Sequence, residues 1–533
     1  MVRSMMRSLS GVFLLLAAAP LAALSFEDSS QQVGFTPSHA DQVPGGGIAV
    51  ADFDRNGYPD IFVTGGTGYG NRLYFNDGDG NFEDDADINA QLFGENCSVT
   101  AAADFDNDGW PDLYVGCRWS NNHLFRNLEG QGFKDVTPIE LNHHVPCCAS
   151  TRTDAVAWAD LTGNGYLDLY IGIFTGASDT GNANNLDRIM LNNGDGSWTN
   201  AAEQLDPDKL IKTGLAVAMS DLNGSGRPDI YVVNDKLMGN HLWRNDGAGC
   251  GSWCFTDVSE ESDTDISAYG MGIAIGDVNR DGLWDMYFSS IDAQHLLLGE
   301  DSDPLAFQEV VDTPLNHDAV GWGTIFADFD NDGWEDAYLA VGPESFAPTE
   351  LVDQVFHNQG DGSFANVTAS SGLGTKIPTQ AAARIDLDRD GTLDLVLHHW
   401  NRQPGYRVYR NTTESTGNWI GFELTGGGPV NRDGIGARVA LQTADGGSQM
   451  RELRAGESRG ASHDPVLHFG LGEHDSAEVT ITWPDGTEQS LGTLTGCRYH
   501  HLVHPQSQVT PPPGGDHGIF RSRFESSCSS TPE

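Results

Sequence analysis

The sequence predicts an all-β protein, a seven-bladed β-propeller followed by a small β-sandwich or barrel. Three observations predict it. A nine-residue acidic phrase recurs seven times in 533 residues, each copy is flanked by short apolar runs of strand type, and after the seventh unit the pattern gives way to a different kind of sequence. The predicted divisions are a leader at 1–25, the propeller at 26–415, the small β domain at 416–505, and a linker with a C-terminal tail at 506–533.

The chain begins with Arg3 and Arg7 ahead of an apolar run from Leu9 to Ala23, and Ala23-Leu24-Ser25 offers a small-residue cleavage site. That is the pattern of a signal peptide. The run is shorter than the ~20 residues that span a bilayer, and Pro20 breaks it. No later stretch is long enough either, so the expected location is secreted, or periplasmic or cell-surface in a Gram-negative source. An exported chain with eight cysteines, an even number without a C-x2-C pair, is read as disulfide-bonded rather than zinc-binding. Cys97 is expected to pair with Cys117, Cys250 with Cys254 and Cys497 with Cys528; a bond between the adjacent Cys147 and Cys148 would be strained.

Asp and Glu outnumber Lys and Arg by 76 to 29, a formal charge of −47 that becomes −49 once Arg3 and Arg7 leave with the leader. Such a chain repels nucleic acid and anionic membranes. Glycine-punctuated apolar strands and 9% aromatic residues nevertheless argue for a folded chain. The charge therefore calls for a counter-ion.

The seven phrases begin at Asp52, Asp104, Asp160, Asp221, Asp277, Asp328 and Asp386, spaced 51 to 61 residues apart. Small-apolar runs such as IAVA (48–51) and IAIG (273–276) precede them, and runs such as IFV (61–63) and LYV (113–115) follow. Runs that are apolar at every position indicate strands covered on both faces. A third element, as in NRLYFNDGDGNF (71–82), reads as strand, hairpin, strand. The fourth strand starts on an aromatic at Phe82, Phe133, Trp198, Phe255, Phe307 and Phe364, and the seventh unit has none. Phe26-Glu27-Asp28 at the mature N-terminus resembles Phe133-Lys134-Asp135, so the segment Phe26–Phe35 is expected to complete blade seven beside Tyr406–Tyr409 and remove an open edge.

Positions 1, 3, 5 and 9 of the phrase supply oxygen in every copy, and position 6 is always glycine. Calcium takes six to eight oxygen ligands, and alternate side chains of a tight loop converge on one point. The ligand sets are Asp52, Asp54, Asn56 and Asp60; Asp104, Asp106, Asp108 and Asp112; and Asp160, Thr162, Asn164 and Asp168. They continue with Asp221, Asn223, Ser225 and Asp229, and with Asp277, Asn279, Asp281 and Asp285. The last two are Asp328, Asp330, Asp332 and Asp336, and Asp386, Asp388, Asp390 and Asp394. An EF-hand would need Glu at position 12, where these loops carry apolar residues such as Val63 and Leu397. Metal-free Asp/Asn/Gly turns are the plain alternative. Seven copies that gather up to four carboxylates each favour the cation, up to seven calcium ions in all.

With their flanking strands, these phrases resemble the FG-GAP/VCBS repeats of integrin α-subunit propellers, where such loops join the first two strands of a blade and bind calcium. From Asn418 onward, NRDGIGARV (431–439), LHFGLG (467–472) and VTITWPDG (479–486) are similar to the ASPIC/UnbV domain. A propeller joined to this domain is the arrangement of the cartilage acidic protein 1-like family. The resemblance implies calcium binding and an extracellular protein or glycan partner, and it names no reaction.

The opposing reading is a calcium-dependent polysaccharide lyase or hydrolase with a propeller active site. The chain has no G-x-S-x-G, H-E-x-x-H or glycine-rich phosphate loop, and no catalytic residue is assigned. The His pairs 143/144, 398/399 and 500/501 are the best candidates. Neighbours on a strand point to opposite faces, and these are read as surface histidines. Trp110, Trp284 and Trp334 are expected to pack over the loops rather than to serve as sugar platforms. An extracellular binding module is the reading carried forward. The tail at 518–528 is left as either a sorting tag or a docked strand.

Overall fold

In the computed structural model, the described residues are 24–507 and 519–525, apart from 38–45, 66–69, 87, 90–95, 142–151, 175–185, 206–209, 211–212, 251, 292, 343–351, 375, 401–404 and 415. The expected leader residues 1–23, His143, His144, Cys147, Cys148 and Cys528 lie outside them.

Each repeat unit is a four-stranded antiparallel meander. In the first, Ile48–Ala51, Asp60–Val63, Arg72–Asn76 and Phe82–Asp84 pair in chain order, and the acidic phrase is the turn between the first two. The innermost strands of the other six blades are Cys97–Ala103, Arg152–Ala159, Gly214–Ser220, Ile273–Gly276, Gly321–Ala327 and Thr379–Ile385. They are buried at every position but Arg152 and Arg384 because both faces of a blade are covered. Ile48 and Val50 pack against the seventh blade, whereas Ala49 and Ala51 pack against the second. The core is accordingly a ring of seams between blades rather than one centre.

The seventh sheet is finished by Phe26–Asp28, which lies antiparallel to Tyr406–Asn411 with Phe26 opposite Asn411. Residues 30–34 then turn away, and Val33 and Phe35 pack at the seam between blades seven and one. Phe26 takes the place that Phe82, Phe133, Trp198, Phe255, Phe307 and Phe364 take in the other fourth strands, and all are buried. Cys97 and Cys117, directly opposed on neighbouring strands, form a disulfide, as do Cys250 and Cys254.

The C-terminal part has two four-stranded sheets. One is built on Asn418–Thr425, Leu467–Gly472, Arg498–Val503 and the backbone of Ile519–Glu525, so a docked strand is what the tail forms there. The other comprises Arg438–Gln442, Ser448–Glu452, Ser476–Thr482 and Glu488–Thr495. Phe422, Val439, Ile481 and Trp483 share one apolar cluster, and that cluster continues into Trp158 and Val156 of the third blade.

The two parts are joined through the axis of the ring. Between the sheets of the C-terminal part, the segment Arg454–Asp464 enters the propeller, and Ala461–Ser462 pairs in parallel with Ile48–Ala49. Trp158 N donates to Ala455 O at 2.8 Å, Ser458 N to Ile273 O at 2.7 Å and Asp464 N to Arg384 O at 3.2 Å. A segment bonded to the inner strands of blades one, three, five and seven occupies the centre. It brings charge with it. Asp154, fully buried, receives Arg118 at 2.8 Å, Arg152 at 2.7 Å and Arg459 at 3.2 Å. Burial alone would raise the Asp154 pKa, but these three guanidiniums hold it well below the usual carboxylate range.

Candidate metal centres

The backbone of the phrase is shaped by two left-handed residues. Position 6 is glycine with φ between 79° and 98°, and position 4 also has positive φ, between 57° and 69°. Position 4 is glycine only at Gly163 and Gly224. Arg55, Asn107, Arg280, Asn331 and Arg389 occupy it elsewhere, at a cost of order 1 kcal/mol each. Their side chains reach the next loop. Asn107 Nδ2 donates to Gly165 O at 2.8 Å, and Asn331 Nδ2 to Gly391 O at 2.9 Å. Arg55 lies over Trp110 at 5.1 Å and Arg280 over Trp334 at 4.0 Å. Trp110 and Trp334 thus pack against the arginine of a neighbouring loop, in keeping with a packing role.

This turn aims the carboxylates inward. In every copy the position-6 glycine N–H is received by the position-1 Asp, at 2.8 Å for Asp52 and 2.6 Å for Asp104. The position-9 Asp ties the blade together. Asp60 accepts Phe53 N and Asn76 N, both at 2.8 Å, and the pattern repeats at Asp112, Asp168, Asp285, Asp336 and Asp394. A carboxylate oxygen with a single such donor, as at Asp52 and Asp60, keeps a second lone pair for another partner.

Four of the loops gather three ligand atoms within 4.8 Å of one another: Asp52, Asp54 and Asp60; Asp104, Asp106 and Asp108; Asp386, Asp388 and Asp390; and Asp330, Asp332 and His357. Loops three and four hold two carboxylates each, and loop five does not form such a group among the described residues. Burial pushes the Asp52 carboxyl up to about 7, with the Asp54 charge adding to it, and pushes Asp104 and Asp386 up to about 8. Asp328 and Asp336 are raised well above the carboxylate range by burial and by the charges around them. Asp328 Oδ1, Asp277 Oδ1 and Asp229 Oδ2 are buried with no hydrogen-bond partner among the described residues. All-oxygen donors, orphaned buried oxygens and mutual repulsion fit a hard divalent cation.

Two features were missed in the sequence, and both sit at the end of the third strand. An asparagine there (Asn76, Asn127, Asn192, Asn245, Asn358, Asn411) donates from Nδ2 to the position-2 carbonyl of the preceding blade, at 2.7–2.9 Å. Blade five has Gly299 instead, where a Cβ would come 2.7 Å from Trp284 O. The residue just before the asparagine faces the loop. Arg126 pairs with Asp106 at 2.8 Å and Asp108 at 2.9 Å, Arg410 with Asp388 at 2.8 Å, and His357 with Asp330 at 2.9 Å. The repeated Asn before the hairpin was the available signal.

The histidine reading needs correction. His398 and His399 are buried, and His399 bridges Thr379 Oγ1 and Tyr409 OH at 3.0 and 3.1 Å. His500 is buried too. In a strand covered on both faces, alternation sends neither neighbour to solvent.

The C-terminal part rests on the loop face. Asp433 Oδ2 accepts Asp104 N at 2.7 Å, Gly470 N donates to Asp328 Oδ2 at 3.0 Å, and Tyr499 OH donates to Asp386 Oδ2. Against known families, the FG-GAP-like repeat matches residues 52–115, 104–171, 221–288 and 328–397, which contain all seven loops, and ASPIC and UnbV matches residues 427–509. Cartilage acidic protein 1 of Mus musculus is 26% identical over 498 residues, covering 87% of this chain and 74% of its own length. The Homo sapiens protein is 25% identical over 484 residues, covering 84% and 70%.

The chain is thus similar to cartilage acidic protein 1 over most of its length, with FG-GAP-like repeats and a C-terminal ASPIC and UnbV match. The segment on the propeller axis lies within the ASPIC and UnbV match. A solved structure described as recognition of non-reducing terminal N-acetylglucosamine by an Agrocybe aegerita lectin superposes with a TM-score of 0.42 at 20% identity, covering 62% of this chain and 82% of that one. At that level it bears on nothing further. Among the described residues, no helix is long and apolar enough to cross a membrane.

Proposed function

We propose that the chain is a secreted propeller loaded with up to seven calcium ions, held at positions 1, 3, 5 and 9 of the acidic loops, and that it acts as an extracellular binding module for protein or glycan. The observation that carries this reading is the convergence of carboxylates, each cluster anchored on a buried Asp, in loops one, two, six and seven, with His357 completing the cluster of loop six. The carboxyl groups at their positions 1 are pushed up by burial, and Asp328 leaves an oxygen unsatisfied. Removal of residues 1–25 on export, with boundaries near 415 and 505, completes the reading. Calcium would supply positive charge and fix the loops on which the C-terminal part sits. The filled axis favours binding over catalysis, because Arg454–Asp464 takes the space where a propeller would assemble an active site from several blades. Calorimetric titration of calcium into chelator-treated protein tests the reading. Saturable uptake of several ions per chain is expected, and no uptake would refute it.

A further inference from the structure

The sixth acidic loop differs from the others in what faces it. The residue before the third-strand asparagine, or before Gly299 in blade five, is Phe75, Arg126, Leu191, Arg244, Leu298 or Arg410 in the other blades and His357 in the sixth. A guanidinium has donors and no lone pair, and the aromatic and aliphatic side chains have neither. Arg126 and Arg410 can therefore neutralise a loop, whereas an imidazole can also join its donor set.

Its position suits that role. His357 Nε2 lies 2.9 Å from Asp330 Oδ2 and 3.9 Å from Asp332 Oδ2, and one ligand atom from each of the three lies within 4.8 Å of the others. Donors each about 2.1 Å from one ion are at most about 4.2 Å apart. Both nitrogen–oxygen distances are thus within reach of a shared ion. His357 and Asp330 are buried, while Asp332 is exposed and leaves an entry path. The second ring nitrogen is held as well. The side-chain amide of Gln359 lies 3.1 Å from His357 Nδ1. Turned so that its oxygen faces the ring, that amide accepts Nδ1–H and leaves the Nε2 lone pair for a metal.

A fourth group is left without a partner beside them. In loops one, two and seven the position-1 Asp receives the position-5 N–H on Oδ1, at 2.9 Å for Asp52 and 3.1 Å for Asp104 and Asp386. In loop six Asp332 N donates to Asp330 Oδ1 instead, at 3.3 Å. Asp328 Oδ1, on a buried carboxylate that feels the charges of Asp332 and Asp330, is then without a hydrogen-bond partner among the described residues. We propose that the sixth loop is a mixed nitrogen–oxygen site for a first-row divalent transition cation of the zinc class, with His357 Nε2 and carboxylate oxygens of Asp328, Asp330 and Asp332 as donors, and that it takes such an ion in preference to calcium. Calcium is held by oxygen, whereas imidazole suits zinc, iron and nickel. The inference rests on the reading of the acidic loops as cation sites and sets one of them apart.

The test uses full-length protein kept in saturating calcium. Cobalt, whose ligand-field absorption reports its donors, is titrated in. One equivalent is expected to develop a visible spectrum and to be displaced by zinc but not by magnesium. His357→Asn, which exchanges the imidazole for a neutral oxygen donor, should weaken cobalt and zinc at least about tenfold, the cost of losing even a residue that only orients a metal ligand, and should leave calcium uptake in place. His295→Asn breaks a pair with Glu309 at the opposite end of the third strand in blade five and should change neither. X-ray absorption of the zinc-loaded wild-type protein should show imidazole scattering, a reading that needs no variant to fold. Absence of a cobalt spectrum in calcium, undiminished binding in His357→Asn, an equal loss in His295→Asn, or zinc without imidazole scattering would each overturn the proposal. Failure of the calcium reading is a different result, absence of calcium uptake by chelator-treated protein.

Discussion

Arg407 donates from Nη1 to Asp28 Oδ2 at 2.7 Å, joining residues 379 apart in the sequence. The pair sits on the strand that completes the seventh blade. Deleting Phe26–Asp28 should leave Tyr406–Asn411 as an unpaired edge and convert the protein to higher-order species in size-exclusion chromatography with light scattering. Arg407→Ala alone removes a partly exposed ion pair and should cost no more than about 1 kcal/mol, whereas Asp28→Ala also removes the bonds from Ser30 N and Ser30 Oγ and should cost more. A truncated protein that stays monomeric would contradict the closure.

Asn127 donates from Nδ2 to Phe53 O at 2.9 Å and to Pro111 O at 3.0 Å, and it is buried. Asn127→Ala strands two buried carbonyls, one of them on the neighbouring blade. Urea denaturation should show a loss of about 1–3 kcal/mol.

Calcium bound only by the folded chain stabilises it by mass action. EGTA should lower the melting temperature by many degrees, and an unchanged value would end the calcium reading. Within the loops, Asp330→Ala should lower the melting temperature in calcium more than Ser225→Ala. Asp330 belongs to a clustered site with Asp332 and His357, whereas loop four has two carboxylates.

The same carboxylates set a pH dependence whose sign follows from linkage. With metal removed, Asp52 at about 7 and Asp104 and Asp386 at about 8 bind protons more tightly folded than unfolded. Stability is therefore lost as pH rises from the unfolded carboxylate value through these folded values. The buried imidazoles run the other way. His468 at about 3 and His501 at about 4 make the fold lose stability as pH falls below the unfolded histidine value of about 6.5. Above pH 6.5 the carboxylates act together with His357, which burial would lower but which Asp330 and Asp332 hold above the ordinary imidazole value, so its contribution is also lost as pH rises. The melting temperature in EGTA should fall between pH 6.5 and 8, and saturating calcium should flatten that slope.

Asp154→Asn leaves Arg118, Arg152 and Arg459 facing one another without their anion. Removing one member of a buried charged group costs about 3–5 kcal/mol. Arg126→Ala, at a half-exposed loop pair, should cost under about 1 kcal/mol, and the difference is readable in denaturant midpoints.

Much of the fold was legible because it repeats. Seven copies of one phrase locate the first turn of each blade, and the missing aromatic in the last unit points to Phe26. Position 4 was less legible, because arginine is rare in a left-handed turn and its residue type does not announce one. The segment Arg454–Asp464 was illegible for another reason. Arg-Ala-Gly-Glu-Ser-Arg-Gly-Ala-Ser-His-Asp is polar and glycine-rich, as a surface loop would be, and the partners that bury it, such as Asp154 and Ile273, lie far away in the chain. His398 and His399 were misjudged because strand alternation was applied to a strand that has no solvent face.

A ring whose hub is the chain's own late segment has to be built in a particular order. At synthesis rates of roughly 5–20 residues per second, Phe26–Asp28 waits roughly 20–80 s for Tyr406–Asn411 to emerge. The hub, Arg454–Asp464, follows only after that. Six blades can stack as they appear, but the nascent ring stays open at its rim and hollow at its middle until the last fifth of the chain is made. During that interval its exposed edge and empty bore are surfaces for chaperones to guard, and a chain that stops short of the hub is left as a wheel without an axle.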